Sequence, residues 1–253
     1  NFNIQVNAFD LQLYSAILSN AIISREKIID WQPVWNIWEK NARELFKAHK
    51  TPSTKKITQL IVKNCRAWCE RQNDLPITKA YGGHYYSPRQ AVWIDALRAT
   101  LPESDSTRTV ALASLIQAAS QCAAAPGHTA QPFQPTRTAK PYLIDAWGKD
   151  IVHITKNAFA SLANRVAKRK GIAKVGNANI VADNLEEGDL VFIDPPYSGV
   201  HYSRFYHVLE TIAHGGCGKV TGVGRYPDVE FRPRSNYSIS SESRPALDDL
   251  LKK

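Results

Sequence analysis

Leu190-Val191-Phe192-Ile193-Asp194-Pro195-Pro196-Tyr197 is an apolar run that ends in an acid, two prolines and an aromatic ring. Four consecutive apolar residues, 190–193, predict a short strand buried on both faces, as in a parallel sheet covered by helices. The run stops at Asp194. Open α/β sheets bind ligands just beyond the carboxyl ends of their strands, so an acid at that point stands where a ligand is expected. Asp194 and Pro195 each precede a proline and are biased to extended backbone. Pro195 and Pro196 have their φ angles fixed by the ring. The turn is therefore stiff and holds two acceptors, the Asp194 carboxylate and the Pro195 carbonyl, without reorganisation during a reaction. A rigid turn could be all it is, but its place after a buried apolar run favours chemistry. An exocyclic amine on a planar base suits two such acceptors. Its lone pair is delocalised into the ring. Acceptors on both hydrogens draw the nitrogen toward tetrahedral geometry and free that pair for attack on a methyl sulfonium. The Tyr197 ring can stack on the base, a contact worth roughly 1–3 kcal/mol. A base in a duplex must leave the stack to reach such a pocket.

Working outward, a second strand–acid–helix unit lies at the start of the chain. Residues 2–9 alternate Ile4, Val6 and Ala8 against polar neighbours and predict a strand ending at Asp10; residues 11–23 then follow helical spacing. Residues 31–71 are expected to be mostly helical, with Trp31, Trp35 and Trp38 on one core-facing side. A basic interruption at 47–56 is a solvated loop or a phosphate contact. Tyr81-Gly82-Gly83-His84-Tyr85-Tyr86-Ser87-Pro88-Arg89-Gln90 breaks the helical pattern, and Ser87, Pro88 and Gln90 carry the cap, first-turn and reciprocal positions of a new helix. Further helices are expected at 107–124 and 151–170, with an irregular connection at 126–141 between them. A short strand is expected at 178–182. The aromatic stripe Tyr202, Phe205, Tyr206, Leu209, Ile212 keeps helical spacing and is expected to face the core, and the Gly-rich basic stretch 215–234 is expected to be a surface loop.

Composition narrows the class. The 253 residues suffice for one large domain or a domain with an insertion. No apolar run approaches the ~20 residues of a membrane span, and no basic-then-apolar leader opens the chain. The net charge of +9 favours a polyanionic partner. Cys65, Cys69, Cys122 and Cys217 form no second close pair, so reduced cysteines in a cytosolic protein, and no metal, are expected. The chain has no methionine, and we expect a sequence from which residues or segments are missing.

Residues 191–197 resemble motif IV of the amino-methyltransferases, in the Asp-Pro-Pro-Tyr form characteristic of the Dam-like, D12 class of adenine-specific DNA methylases. The resemblance implies an α/β fold, a Rossmann-like methyltransferase sheet with a mostly helical insertion. It implies S-adenosylmethionine as methyl donor and DNA as partner, with Asp194, Pro195, Pro196 and Tyr197 as the catalytic set. Asn7-Ala8-Phe9-Asp10 with its following helix is similar to the family's second strand, whose acid binds the cofactor ribose. Asp183, in Val181-Ala182-Asp183-Asn184, falls where a third motif would sit near the cofactor adenine, and Asp194 borders the cofactor as well. The family layout divides the chain into a first core part (1–30), a helical target-recognition insertion (31–175) and a second core part (176–253). Within the insertion, Tyr85, Tyr86 and Arg89 resemble a DNA-facing element; equally, these aromatics could pack the insertion to the sheet. Lys168, Arg169 and Lys170 either contact phosphate or complement a helix C-terminus.

The sequence departs from the family in two places. The Gly-rich first motif does not precede the first strand, and the chain ends before the strands that should follow Asp-Pro-Pro-Tyr. The resemblance implies a cytoplasmic, nucleoid-associated enzyme without membrane contact, and it admits a restriction or phage-defence partner. The competing readings are methylation of RNA or of the cytosine amine, and a non-catalytic nucleic-acid-binding subunit.

Overall fold

The computed structural model describes residues 3–196 and 202–253. Strand β1 (Asn7–Asp10) runs parallel to β2 (Ile172–Val175), with Asn7 opposite Ile172 and Asp10 opposite Val175. Helix α1 (Leu13–Ile23) turns back beside the pair. Its Asn20 carboxamide donates to the Ala173 carbonyl at 2.6 Å and accepts from the Ala173 N–H at 2.8 Å, standing in for a neighbouring strand at that residue. The chain enters β2 through Gly171, where a Cβ would lie 1.8 Å from the Val6 carbonyl oxygen, so only glycine fits.

Between the two strands lies a helical body: α2 (Trp31–Lys47), α3 (Gln59–Glu70), α4 (Pro76–Tyr81), α5 (Pro88–Ala99), α6 (Asp105–Cys122), α7 (Lys140–Gly148) and α8 (Ile151–Ala163). After β2 come α9 (Ala178–Val181), α10 (Tyr202–Phe205), α11 (His207–His214), a two-stranded hairpin β3 (Val220–Thr221) and β4 (Tyr226–Pro227), and α12 (Ser240–Leu250). Helix α6 is central. Val110, Ala111, Ala113, Leu115, Ile116, Ala118 and Ala119 are all buried, because α1, α5, α8 and α11 surround it. Trp35 and Trp38 meet edge-on at 5.4 Å and pack on Phe159, while Trp31 lines the margin of the same core. The three indoles are core packing, as their spacing predicts. All four cysteines are free and buried.

The helix after the Tyr81–Gln90 segment starts where the sequence places it. The Ser87 hydroxyl accepts from the Gln90 N–H, and the Gln90 side chain accepts from the Ser87 N–H, closing the capping box. Asp150 caps α8 by accepting from the N–H groups of Val152 and His153.

Four expectations are corrected. Residues 178–182 are not a strand: Asn177 accepts from the Asn179 N–H and starts the short helix α9 instead. The helix expected over 151–170 ends at Ala163. There the buried Arg25 guanidinium donates to the carbonyls of Leu162, Ala163 and Arg165, replacing the next helical turn. Lys168, Arg169 and Lys170 therefore lie beyond the helix and do not complement its C-terminus. The stretch at 126–141 leads into an unforeseen helix, α7, with Pro141 in its first turn. Finally, residues 190–193 form no ladder with any described strand and are not buried; Leu190 is 97% and Phe192 91% exposed. Their apolar character calls for neighbours on two sides, and the parallel sheet among the described residues has only β1 and β2. The observed fold is mixed α/β, dominated by helix.

Candidate functional site

Asp10 ends β1, as the strand–acid–helix reading requires. Its Oδ1 accepts from the Gln12 N–H at 2.8 Å, which folds the turn at 10–12, and among the described residues the second carboxylate oxygen has no hydrogen bond. The Asp10 carbonyl accepts from the Gly176 N–H at 2.9 Å, tying the turn to the exit of β2. A half-buried carboxylate at the carboxyl end of a parallel strand is an acceptor that suits ribose hydroxyls.

Glu210, on α11, has no counterpart in the sequence reading. Its side chain is nearly enclosed, at 6% exposure, and its two oxygens each accept one backbone hydrogen bond at 2.9 Å, from the N–H groups of Leu13 and Tyr14. These are the first N–H groups of α1, which lacks a side-chain cap of its own. A carboxylate there also complements the positive end of the helix. The partners are 197 and 196 residues apart, so no local signal could have found the pair. His214 lies 3.1 Å from the same carboxylate.

The consequence is spatial. α11 follows Asp-Pro-Pro-Tyr in the chain, and Glu210 fastens it to the turn that carries Asp10. The Tyr14 ring packs on Tyr206 at 5.5 Å, and Tyr206 lies 6.1 Å from Tyr202. Burial first, then the nearby Asp10 carboxylate, holds the Tyr14 phenol far above its ordinary range, so it stays protonated. An aromatic surface thus connects the Asp10 turn to the residues just after the motif.

Within the motif, Asp194 is exposed and Pro195 and Pro196 are half-buried. Tyr197 lies outside the described residues. Asp183 occupies a single 3-10 turn, not a strand end, and forms an ion pair with Lys253.

Tyr85 and Tyr86 do not face solvent; both are fully buried. The Tyr85 hydroxyl lies 2.6 Å from the Thr129 carbonyl and 2.9 Å from that of Gly224, and Tyr86 donates to the Ala119 carbonyl at 3.2 Å. Tyr85 also meets Tyr81 and His207 edge-on at 5.7 and 5.8 Å. Of the two readings of this segment, the rings follow the packing one. Arg89 is exposed, with its guanidinium over the Phe46 ring at 5.2 Å. Lys168 and Arg169 are exposed on the crossover into β2. Among the described residues no group of three or more His, Cys, Asp or Glu is placed to hold a metal, and no helix is long and apolar enough to cross a membrane.

The chain matches the D12 class N6 adenine-specific DNA methyltransferase family over residues 4–222. It is 41% identical over 66 residues to the modification methylase LlaI of Lactococcus lactis subsp. lactis, covering 26% of this chain and 10% of that protein. It is 40% identical over 67 residues to the type II methyltransferase M.FokI of Planomicrobium okeanokoites, again 26% and 10%. The match thus spans about a tenth of the length of either relative. No solved structure matches the chain.

Proposed function

The chain belongs to the D12 class N6 adenine-specific DNA methyltransferase family, and from that premise we propose that the protein methylates the exocyclic amine of adenine in DNA after the base leaves the duplex. The observation that carries this reading is Asp194-Pro195-Pro196-Tyr197 in a chain whose Asp10 turn is fastened to the helix after that motif.

Asp10 would hold the ribose of S-adenosylmethionine, which when bound would supply the methyl group as a sulfonium. One Asp10 oxygen is committed to the Gln12 N–H, and the other has no hydrogen bond among the described residues and can take a ribose hydroxyl. The Asp194 carboxylate and the Pro195 carbonyl accept the two amine hydrogens, which localises the nitrogen lone pair. Asp194 carries the charge that stabilises the ammonium developing on transfer. Tyr197 stacks on the extrahelical base. The exposed Arg89, Lys168 and Arg169 are available for phosphate contacts that position the duplex.

The helical insertion, read from the sequence as 31–175, is proposed to end before β2, because residues 172–175 pair with β1. A Rossmann-like sheet wider than β1 and β2 is also part of the proposal. Its support is the uncovered apolar surface: Val6 is 50%, Val175 52%, Leu190 97% and Phe192 91% exposed. Side chains of this kind are covered by further layers in a closed α/β sheet.

The test is transfer of labelled methyl from S-adenosylmethionine to duplex DNA by the full-length protein. Asp194→Ala abolishes transfer while DNA binding survives; full activity in that variant refutes the mechanism. Tyr197→Ala weakens base capture and Tyr197→Phe largely preserves it; unchanged activity with alanine refutes stacking.

A further inference from the structure

Four polar residues of α3 line one groove. Gln59, Lys63, Arg66 and Glu70 fall at spacings of four, three and four, so they share one helix face. Val62, Cys65 and Cys69 lie along one side of this face and are buried, and Val62 also forms part of the groove wall. The polar face lines an open groove of about 600 Å³, whose far wall is Gln134, Pro135 and Thr136.

Arg66 is held in place. Its Nε donates to the Gly83 carbonyl at 2.9 Å and its Nη2 to the Gln134 Oε1 at 3.0 Å. The Nη1 group donates to nothing among the described residues. Gln59 and Lys63 are exposed and make no side-chain hydrogen bond or ion pair among the described residues. Just before α3, Lys50, Lys55 and Lys56 are exposed and have no ion-pair partner among the described residues.

We propose that α3 reads base edges beside the target adenine, with Gln59, Lys63 and Arg66 as the reading side chains. Lys50, Lys55 and Lys56 touch the flanking phosphates. The proposal rests on the reading of the protein as a DNA methyltransferase. Arg and Lys pair with the O6 and N7 acceptors of guanine, and Gln pairs with N6 and N7 of adenine. A guanidinium fixed by two hydrogen bonds supplies a direction, which base readout requires and a phosphate contact does not. Glu70 decides between the two. It lines the groove and lies 3.3 Å from Arg225. A carboxylate repels a phosphate but accepts from the cytosine amine. The groove therefore suits base edges, and the lysine loop beside it suits the backbone.

The experiment uses the full-length protein on a library of duplexes with randomised positions around the methylated adenine, read by modified-base sequencing. Wild type is compared with the double variant Gln59→Ala/Lys63→Ala, whose side chains support no other part of the fold. We expect preference at one or more flanking positions to fall about tenfold or more, with the thermal midpoint unchanged. A triple Lys50→Ala/Lys55→Ala/Lys56→Ala variant weakens methylation evenly across sequences and reduces its salt dependence. An unchanged sequence preference in the double variant overturns the proposal, as does an even loss across all sequences. No adenine methylation by the wild type overturns the parent reading and this one with it, and is seen in the control alone.

Discussion

Glu210→Ala removes the acceptor of the first two N–H groups of α1. Hydrogen bonds to a charged group each contribute about 1.5–3 kcal/mol to stability. Both N–H groups belong to half-buried residues, so water can recover part of the loss. Truncating a cap elsewhere costs about 0.5–2 kcal/mol. Two bonds with partial recovery place the expected loss at about 2–4 kcal/mol. Glu210→Gln keeps one carbonyl oxygen but turns an NH2 group toward the second N–H, so it recovers little more than half. The assay is urea unfolding of the full-length protein, with calorimetric titration of S-adenosylmethionine alongside. Because the clamp sets the Asp10 turn, cofactor affinity falls together with stability, and falls further for alanine than for glutamine. A Glu210→Ala protein within 0.5 kcal/mol of wild type refutes the clamp. Lost stability with unchanged cofactor affinity refutes its link to Asp10.

Tyr85→Phe deletes a buried hydroxyl whose one proton is shared between the Thr129 and Gly224 carbonyls, so it lowers stability by about 1–3 kcal/mol while DNA affinity by gel shift stays within about twofold; a large affinity loss in a stable protein restores the DNA-facing reading. Arg25→Ala removes the charged donor shared by the Leu162, Ala163 and Arg165 carbonyls, of which Leu162 and Ala163 keep one backbone donor each, and destabilises by about 3 kcal/mol, measured by thermal unfolding. Asp95 is buried and accepts from the Ile77 and Thr78 N–H groups and the Thr78 hydroxyl. Burial, outweighing those bonds, pushes its carboxyl up to about 6. The folded state then binds the proton more tightly than the unfolded chain, so this group's contribution to stability falls as pH rises from about 4 to about 6. Asp95→Asn removes that slope from the urea midpoints across the window, and a persisting slope refutes the assignment.

What was legible in the sequence was local. The turn at Asp10, the capping box of Ser87 and Gln90 and the inward stripe of Trp35 and Trp38 depend on residues within one or two turns of each other. What was missed depends on partners far along the chain. Nothing near Lys170 reveals that Arg25 ends α8, and nothing near Asp10 reveals Glu210. Tyr85 and Tyr86 show a second limit. An aromatic, Gly-rich segment has the same composition whether its rings meet a base or the hydroxyl-bonded interior found here. Leu190–Ile193 shows a third: an apolar run states what a segment needs around it, not what surrounds it. The Asp-Pro-Pro-Tyr chemistry stayed legible because it rests on residue types whose geometry is fixed within four positions.

The most direct test of the central claim is base-resolved sequencing of modified nucleic acids from cells expressing the full-length protein, with Asp194→Ala as control. N6-methyladenine is expected in DNA at a defined sequence context and absent from the control. A methyl group on cytosine or only on RNA, or an adenine signal that persists in Asp194→Ala, contradicts it.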